Sequence, residues 1–135
     1  MTEEKYYVGQ SDSFTKTVTE ADVVLFAGVT GDLNPAHVND VYAKNSMFKG
    51  RIAHGMFSAG LISAVFGTKL PGPGTIYLSQ TLQFRKPVYF NDTITATVTI
   101  KEIDEKGRIL FDTIVTNQNG DTVVTGEAKM LPPKD

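Results

Sequence analysis

The sequence contains no cysteine, and only two of its 135 residues are histidine. Without cysteine the chain can form neither a disulfide nor a thiolate-bound metal site, so any chemistry must come from oxygen and nitrogen side chains. The absence of cysteine also agrees with a reducing compartment. The two histidines therefore stand out as the side chains that could exchange protons near neutral pH.

The sequence also lacks an excess of charge and any long apolar run. The 13 basic and 15 acidic residues give a formal net charge of −2, which offers no electrostatic footprint for nucleic acid. No apolar run approaches the roughly 18 residues of a membrane-spanning helix, and the stretch from Met1 to Gln10 lacks the apolar core of a signal peptide. We predict a cytoplasmic protein that binds neither nucleic acid nor membrane.

The length and the local amino-acid composition of the chain predict its fold class. A chain of 135 residues fits one domain, because a second core would leave each half too small, and we predict one domain over residues 1–135. Alanine, histidine, methionine and glycine are frequent from Thr19 to Gly67, whereas threonine, valine and isoleucine dominate from Thr75 onward. We expect a long apolar helix buried on an antiparallel sheet, an α+β architecture.

Two helices have clear local signals. Thr19 and Asp22 have the spacing of a capping box that opens a helix from Glu20 to about Gly28. The residues of this helix predicted to face the core are Val23, Val24, Phe26 and Ala27. From Met56 to Gly67, apolar residues recur every three or four positions, which is typical of a buried helix.

The strands are predicted from alternation and turn residues. The run from Thr93 to Ile100 alternates with period two, as expected of a strand with one buried face. Asn119-Gly120 and the stretch ending at Gly107 are hairpin signals, so the last three strands should form a meander. The predicted strands are Ser13 to Val18, Thr75 to Phe84, Asp92 to Ile103, Arg108 to Asn117 and Asp121 to Met130.

Asp32 and His37 flank a turn that could carry chemistry. Pro35 disfavours helical geometry at Asn34, so the segment is a turn, with His37 in the loop that follows. A rigid turn can bring a carboxylate and an imidazole to one water molecule, which the carboxylate orients while the imidazole exchanges a proton. The alternative is structural: Asp32 caps the turn and His37 packs beside it. The spacing alone favours neither interpretation.

Two further residues could contribute to a site. Gly55 is predicted at the start of the buried helix, where its N–H has no intrahelical partner and could donate to a carbonyl that gains negative charge. The alternative is that His54-Gly55 is only a tight helix entry. Ser63 is polar among apolar neighbours, and its hydroxyl could instead bond to a backbone carbonyl one turn back.

Three separated motifs resemble those of the MaoC-like (R)-specific enoyl-CoA hydratases. They are Asp32-Leu-Asn-Pro-Ala-His37, Ile52-Ala-His-Gly-Met56, and Phe84-Arg-Lys-Pro-Val88 followed by Asn91-Asp92. The resemblance extends over nearly the whole chain. It implies a hot-dog fold, in which a five-stranded antiparallel sheet wraps around the helix from about His54 to Gly67, and assembly as a homodimer.

The resemblance also implies roles for individual residues. Asp32 and His37 would form the catalytic dyad that adds water to a trans-2-enoyl-CoA substrate, Gly55 would supply an oxyanion N–H, and Ser63 would line the site. Phe66 and Met130 would close the acyl tunnel, and because both are bulky we expect a preference for short chains. The reaction would require no metal or other cofactor. The pathway stays open between polyhydroxyalkanoate supply, fatty-acid oxidation and a dedicated degradative route.

Two other functions are compatible with the same fold. A hot-dog acyl-CoA thioesterase usually carries its acidic residue on the central helix, but the stretch from Met56 to Gly67 contains neither aspartate nor glutamate. A non-catalytic acyl-CoA-binding module would have no use for the pair Asp32 and His37. Both features favour the hydratase.

Overall fold

The computed structural model describes residues 5–134 of the chain. No helix in this part combines the length and apolar composition needed to cross a membrane. In chain order the elements are β1 (Ser11–Thr17), α1 (Glu20–Thr30), α2 (Pro35–Val38), α3 (Asp40–Lys44), α4 (Gly55–Thr68), β2 (Ile76–Gln80), β3 (Gln83–Phe84), β4 (Thr93–Ile103), β5 (Ile109–Thr116) and β6 (Thr122–Leu131).

The strands form one antiparallel sheet that curves around α4. The strand order is β1-β4-β5-β6-β2, and the two-residue β3 also pairs with β6. α4 packs on the face towards which alternate residues of β4 point, and it contacts β1, β4, β5 and β6. The largest fully buried side chains include Ile62, Phe66, Phe111 and Met130. The predicted α+β hot-dog arrangement and the meander of the last three strands are confirmed.

α1 begins as predicted but buries a narrower face. The capping box is present, because Asp22 N–H donates to Thr19 Oγ1 at 3.1 Å and Thr19 N–H donates to Asp22 Oδ2 at 3.0 Å. Val23 and Ala27 are buried, whereas Val24 is 50% exposed, so the prediction that Val24 faces the core is wrong. Successive helical residues are turned by about 100°, so Val24 cannot share the face of Val23.

The predicted strand from Thr75 to Phe84 is divided into β2 and β3. Between β2 and β3 the backbone still bonds to β6, since Thr81 N–H donates to the Glu127 carbonyl at 2.8 Å. The Thr81 carbonyl, however, lies against Gly126, where an added Cβ would come within 1.8 Å of that oxygen. The chain bends inward over this glycine, which interrupts regular pairing.

Candidate active site

The turn between α1 and α2 holds Asp32 at the surface. Gly31 ends α1 in the left-handed conformation with φ 83°, and its N–H donates to the Ala27 carbonyl. The Asp32 N–H donates to Thr30 Oγ1 at 3.1 Å, and Asp32 Oδ1 accepts from Asn34 N–H at 3.2 Å. Asp32 therefore does cap the turn through one carboxylate oxygen, and its side chain is exposed.

His37 lies in a short helix rather than in a loop, which corrects the sequence prediction. Asn34 caps α2 by accepting from Ala36 N–H at 3.0 Å, and Pro35 occupies the first helical position, where its missing N–H costs nothing. The turn and this helix together bring His37 back beside Asp32. His37 is 7% exposed.

One hydrogen bond fixes the tautomer of His37. Its Nδ1 lies 2.6 Å from the Ile52 carbonyl oxygen, and because a carbonyl can only accept, Nδ1 must carry the proton. Nε2 is then the basic nitrogen. Burial lowers the pKa of His37, with the bond to Ile52 and the Asp32 charge acting in the opposite direction. The neutral imidazole is favoured near neutral pH, as a proton acceptor requires.

His54 contacts both members of the predicted dyad, a position that the sequence interpretation did not give it. It precedes α4 and is 2% exposed; its Nε2 donates to the Asp32 backbone carbonyl at 2.9 Å. Its ring stacks on that of His37, with centroids 3.8 Å apart and planes 30° apart. His54 thus ties the start of α4 to both members of the predicted dyad. A histidine directly before the glycine of a helix entry was the available signal.

Gly55 opens α4 beside the dyad. His54 provides no side-chain cap, and in the first turn Phe57 N–H donates to the His54 carbonyl at 3.0 Å, so the Gly55 N–H is the group that points out of the positive end of the helix dipole. A Cβ at Gly55 would come within 2.7 Å of the Phe84 ring. Glycine is therefore required for the ring to lie against the helix start.

Two cavities meet around these residues. The first, of about 500 Å³, is lined by His37 and Gly55 together with Ser58, apolar side chains, and Arg85 and Lys86. The second, of about 660 Å³, is lined by Asp32 and mostly apolar residues. Met56 borders both cavities. The predicted dyad and oxyanion donor thus lie together, on the boundary between two largely apolar spaces.

The same residues form the one cluster within residues 5–134 that could hold a metal ion. Ligand atoms of Asp32, His37 and His54 all lie within 4.8 Å of one another. Each imidazole bonds one nitrogen to a backbone carbonyl, the Ile52 carbonyl for His37 and the Asp32 carbonyl for His54, which leaves one ring nitrogen of each for a proton or a metal ion.

Comparison with known proteins identifies the family. The family described as MaoC like domain matches residues 6–123 of this chain. The chain belongs to the MaoC-like family.

Relatives of this MaoC-like chain match over most of their length. The (R)-specific enoyl-CoA hydratase of Rhodospirillum rubrum is 54% identical over 93% of this chain and 87% of that protein. The structure of R-hydratase PhaJ1 from Pseudomonas aeruginosa in the unliganded form shares 47% identity, with a TM-score of 0.92, over 96% of this chain and 84% of that one. The (R)-hydratase from Aeromonas caviae involved in PHA biosynthesis shares 36% identity, with a TM-score of 0.93, over 97% of this chain and all of that one.

The remaining predicted residues of this MaoC-like site lie around the second cavity. Ser63 lines it directly, together with Tyr77. Phe66 and Met130 do not line it but both neighbour Tyr77: the Phe66 ring is 5.3 Å from the Tyr77 ring, and Met130 is the partner of Tyr77 across β2 and β6. Burial raises the pKa of Tyr77 to about 12, so this wall stays uncharged.

Proposed function

We propose that this chain is an (R)-specific enoyl-CoA hydratase that converts trans-2-enoyl-CoA to (R)-3-hydroxyacyl-CoA. Belonging to the MaoC-like family and 54% identity to an enzyme of that name support the activity. The observation that carries it is the basic Nε2 of His37, fixed by the Ile52 carbonyl, beside the Asp32 carboxylate and the uncapped start of α4 at Gly55.

The proposed mechanism uses only protein side chains and water. A water molecule held between Asp32 and His37 Nε2 loses a proton to the dyad while its oxygen bonds to C3 of the enoyl group. The π electrons move towards the thioester oxygen, which accepts a hydrogen bond from Gly55 N–H. The dyad then returns the proton to C2 on the same face. No metal or cofactor is needed, because the dyad supplies acid–base catalysis and α4 supplies charge stabilisation.

The two cavities suit the two parts of the substrate. We assign the CoA side to the first cavity, where Arg85 and Lys86 provide positive charge, and the acyl chain to the second, largely apolar cavity. Phe66 and Met130 would limit chain length by supporting Tyr77. A short enoyl chain is the proposed substrate, since this wall is filled by large side chains.

A homodimer is proposed from the exposed surface near the second cavity. β2 lies at the edge of the sheet, so its outer N–H and C=O groups are free to pair with a second copy. Exposed apolar side chains are frequent on α1, on the turn that follows it and on β2: Val24, Leu25, Val29, Leu33, Ile76 and Leu78. Such a surface is typical of an interface. We also propose a cytoplasmic location, consistent with the absence of cysteine.

The activity is tested by following the conjugated enoyl-thioester absorbance of crotonyl-CoA. The wild-type protein should remove it, an (R)-specific dehydrogenase should accept the product, and Asp32→Asn and His37→Ala should both abolish turnover. Release of free CoA instead would indicate a thioesterase, although α4 carries no acidic residue. Tight binding of crotonyl-CoA without any turnover would indicate a binding module, and either result would refute the proposal.

A further inference from the structure

Ser58 is a buried serine whose hydroxyl has no partner. It lies in α4, is 1% exposed, and its Oγ forms no hydrogen bond within residues 5–134. Two helical threonines donate one turn back instead: Thr30 to the Phe26 carbonyl at 2.8 Å and Thr68 to the Ala64 carbonyl at 2.7 Å. An unpaired buried hydroxyl lowers the stability of the folded protein, so its presence here calls for a different partner.

Ser58 is one of the residues that line the first cavity. Ser58 follows Gly55 by three residues, so the two lie on the same face of α4, and helical side chains lean towards the N-terminus of their helix. Gly55 has no side chain to cover that path. Ser58, Gly55 and His37 all line the first cavity, so Ser58 and the first residue of α4 border the same space, with the Ser58 hydroxyl enclosed beside it.

We propose that the Ser58 hydroxyl donates a second hydrogen bond to the thioester carbonyl oxygen of the substrate, beside the bond from Gly55 N–H. This inference rests on the proposed hydratase function. As water adds to C3, negative charge develops on that oxygen, and a second donor stabilises the transition state more than the ground state. Ser58 is then a catalytic residue that holds its donor ready before substrate arrives.

His54 offers a structural alternative for the same hydroxyl. Its Nδ1 is also buried and unpartnered within the described residues, and Ser58 follows it by four positions, one helical turn. If the hydroxyl served only to satisfy His54, removing it would destabilise the protein. If it serves the substrate, removing it relieves an unpaired group. The two roles therefore predict opposite changes in stability.

The test compares Ser58→Ala with Thr68→Ala, which removes a paired hydroxyl from the far end of the same helix. For Ser58→Ala we expect an unchanged or higher Tm, a kcat for crotonyl-CoA at least about tenfold lower, and KM changed by less than about threefold. Thr68→Ala should keep its kcat. Ser58→Cys retains a weak donor and should fall between wild type and alanine.

A spectroscopic measurement tests for contact with the substrate, because a purely structural role of Ser58 would leave the spectrum of the bound substrate unchanged. Butyryl-CoA labelled with carbon-13 at the thioester carbonyl cannot be hydrated, and its bound carbonyl stretch should shift less in Ser58→Ala than in wild type. A lower Tm for Ser58→Ala, an unchanged kcat or an unchanged carbonyl stretch would each overturn the proposal for Ser58. Absence of turnover in the wild-type protein would instead refute the hydratase function itself.

Discussion

Arg51 holds the backbone of His37 in place, and replacing it should reduce both stability and turnover. Its Nε donates to the His37 carbonyl at 2.8 Å, and its guanidinium lies 4.7 Å from the centre of the Phe90 ring. The side chain is 9% exposed. Its carboxylate partners are much more exposed, with 63% of the Glu20 side chain and 70% of the Asp40 side chain accessible to solvent. The bond to His37 should therefore matter more than the two ion pairs.

The size of the effect follows from this difference. A hydrogen bond from a charged, buried group contributes about 1.5–3 kcal/mol, and a cation over an aromatic ring adds about 0.5–1 kcal/mol. Arg51→Met, which keeps an unbranched apolar stem but removes the guanidinium, should thus lower the free energy of unfolding by about 2–4 kcal/mol. Glu20→Gln, the matched control, removes an exposed partner and should cost less than about 1 kcal/mol.

Urea unfolding at one fixed protein concentration measures the stability, and crotonyl-CoA hydration measures the activity. Because the Arg51 bond positions His37, we expect kcat of Arg51→Met to fall by about tenfold or more, with a smaller change in KM. Arg51→Lys keeps the charge but not the planar fork, and should recover little of the loss. Equal stability of Arg51→Met and Glu20→Gln, or full kcat in Arg51→Met, would refute this reasoning.

Three further predictions concern the site. Gly55→Ala should lower kcat/KM for crotonyl-CoA about tenfold, because the new Cβ meets the Phe84 ring. The double variant Gly55→Ala with Phe84→Ala should recover part of the lost kcat/KM. No recovery in the double variant would contradict a steric cause. Burial lowers the pKa of His37 below 6.5, so the stability that depends on neutral His37 should be lost as pH falls from 6.5 towards that lowered pKa. The acid limb of kcat/KM should lie below 6.5 for the same reason. An NMR titration of the two histidines checks this, and a His37 midpoint above 6.5 would contradict it. Phe66→Leu should raise turnover of octenoyl-CoA relative to crotonyl-CoA, and an unchanged ratio would show that the wall at Tyr77 does not set chain length.

Local patterns in the sequence were enough to predict the elements whose cause is local. The alternation of β4 is reproduced residue by residue in burial from Thr93 to Ile100, and the capping box fixes the start of α1 at Glu20. The break between β2 and β3 could not be predicted in this way, because it arises where Thr81 meets Gly126, 45 positions later in the chain. Val24 shows the same limit, since apolar character alone does not distinguish a core from a surface that another chain could cover.

The residues that support the site were harder to predict than the dyad itself. Asp32 and His37 are close in sequence, and the turn at Pro35 made their proximity predictable. His54 and Arg51 act on backbone carbonyls of Asp32 and His37, 22 and 14 residues away, so no local spacing reveals them. Ser58 could be distinguished from Ser63 only by burial, because one serine is enclosed and the other is exposed.

The segment from Arg51 to His54 explains why separate motifs belong to one site. Ile52 N–H donates to the Ala36 carbonyl at 3.2 Å, and the Ile52 carbonyl accepts from His37, so both backbone polar groups of Ile52 bond to α2. The next residue faces the other way: Ala53 N–H donates to the Val88 carbonyl at 2.8 Å. The motif from Phe84 to Val88 thus anchors the segment that contains Ile52, and the Ile52 carbonyl sets the tautomer of His37. A change in the backbone at Val88 should therefore reach the dyad through Ala53 and Ile52.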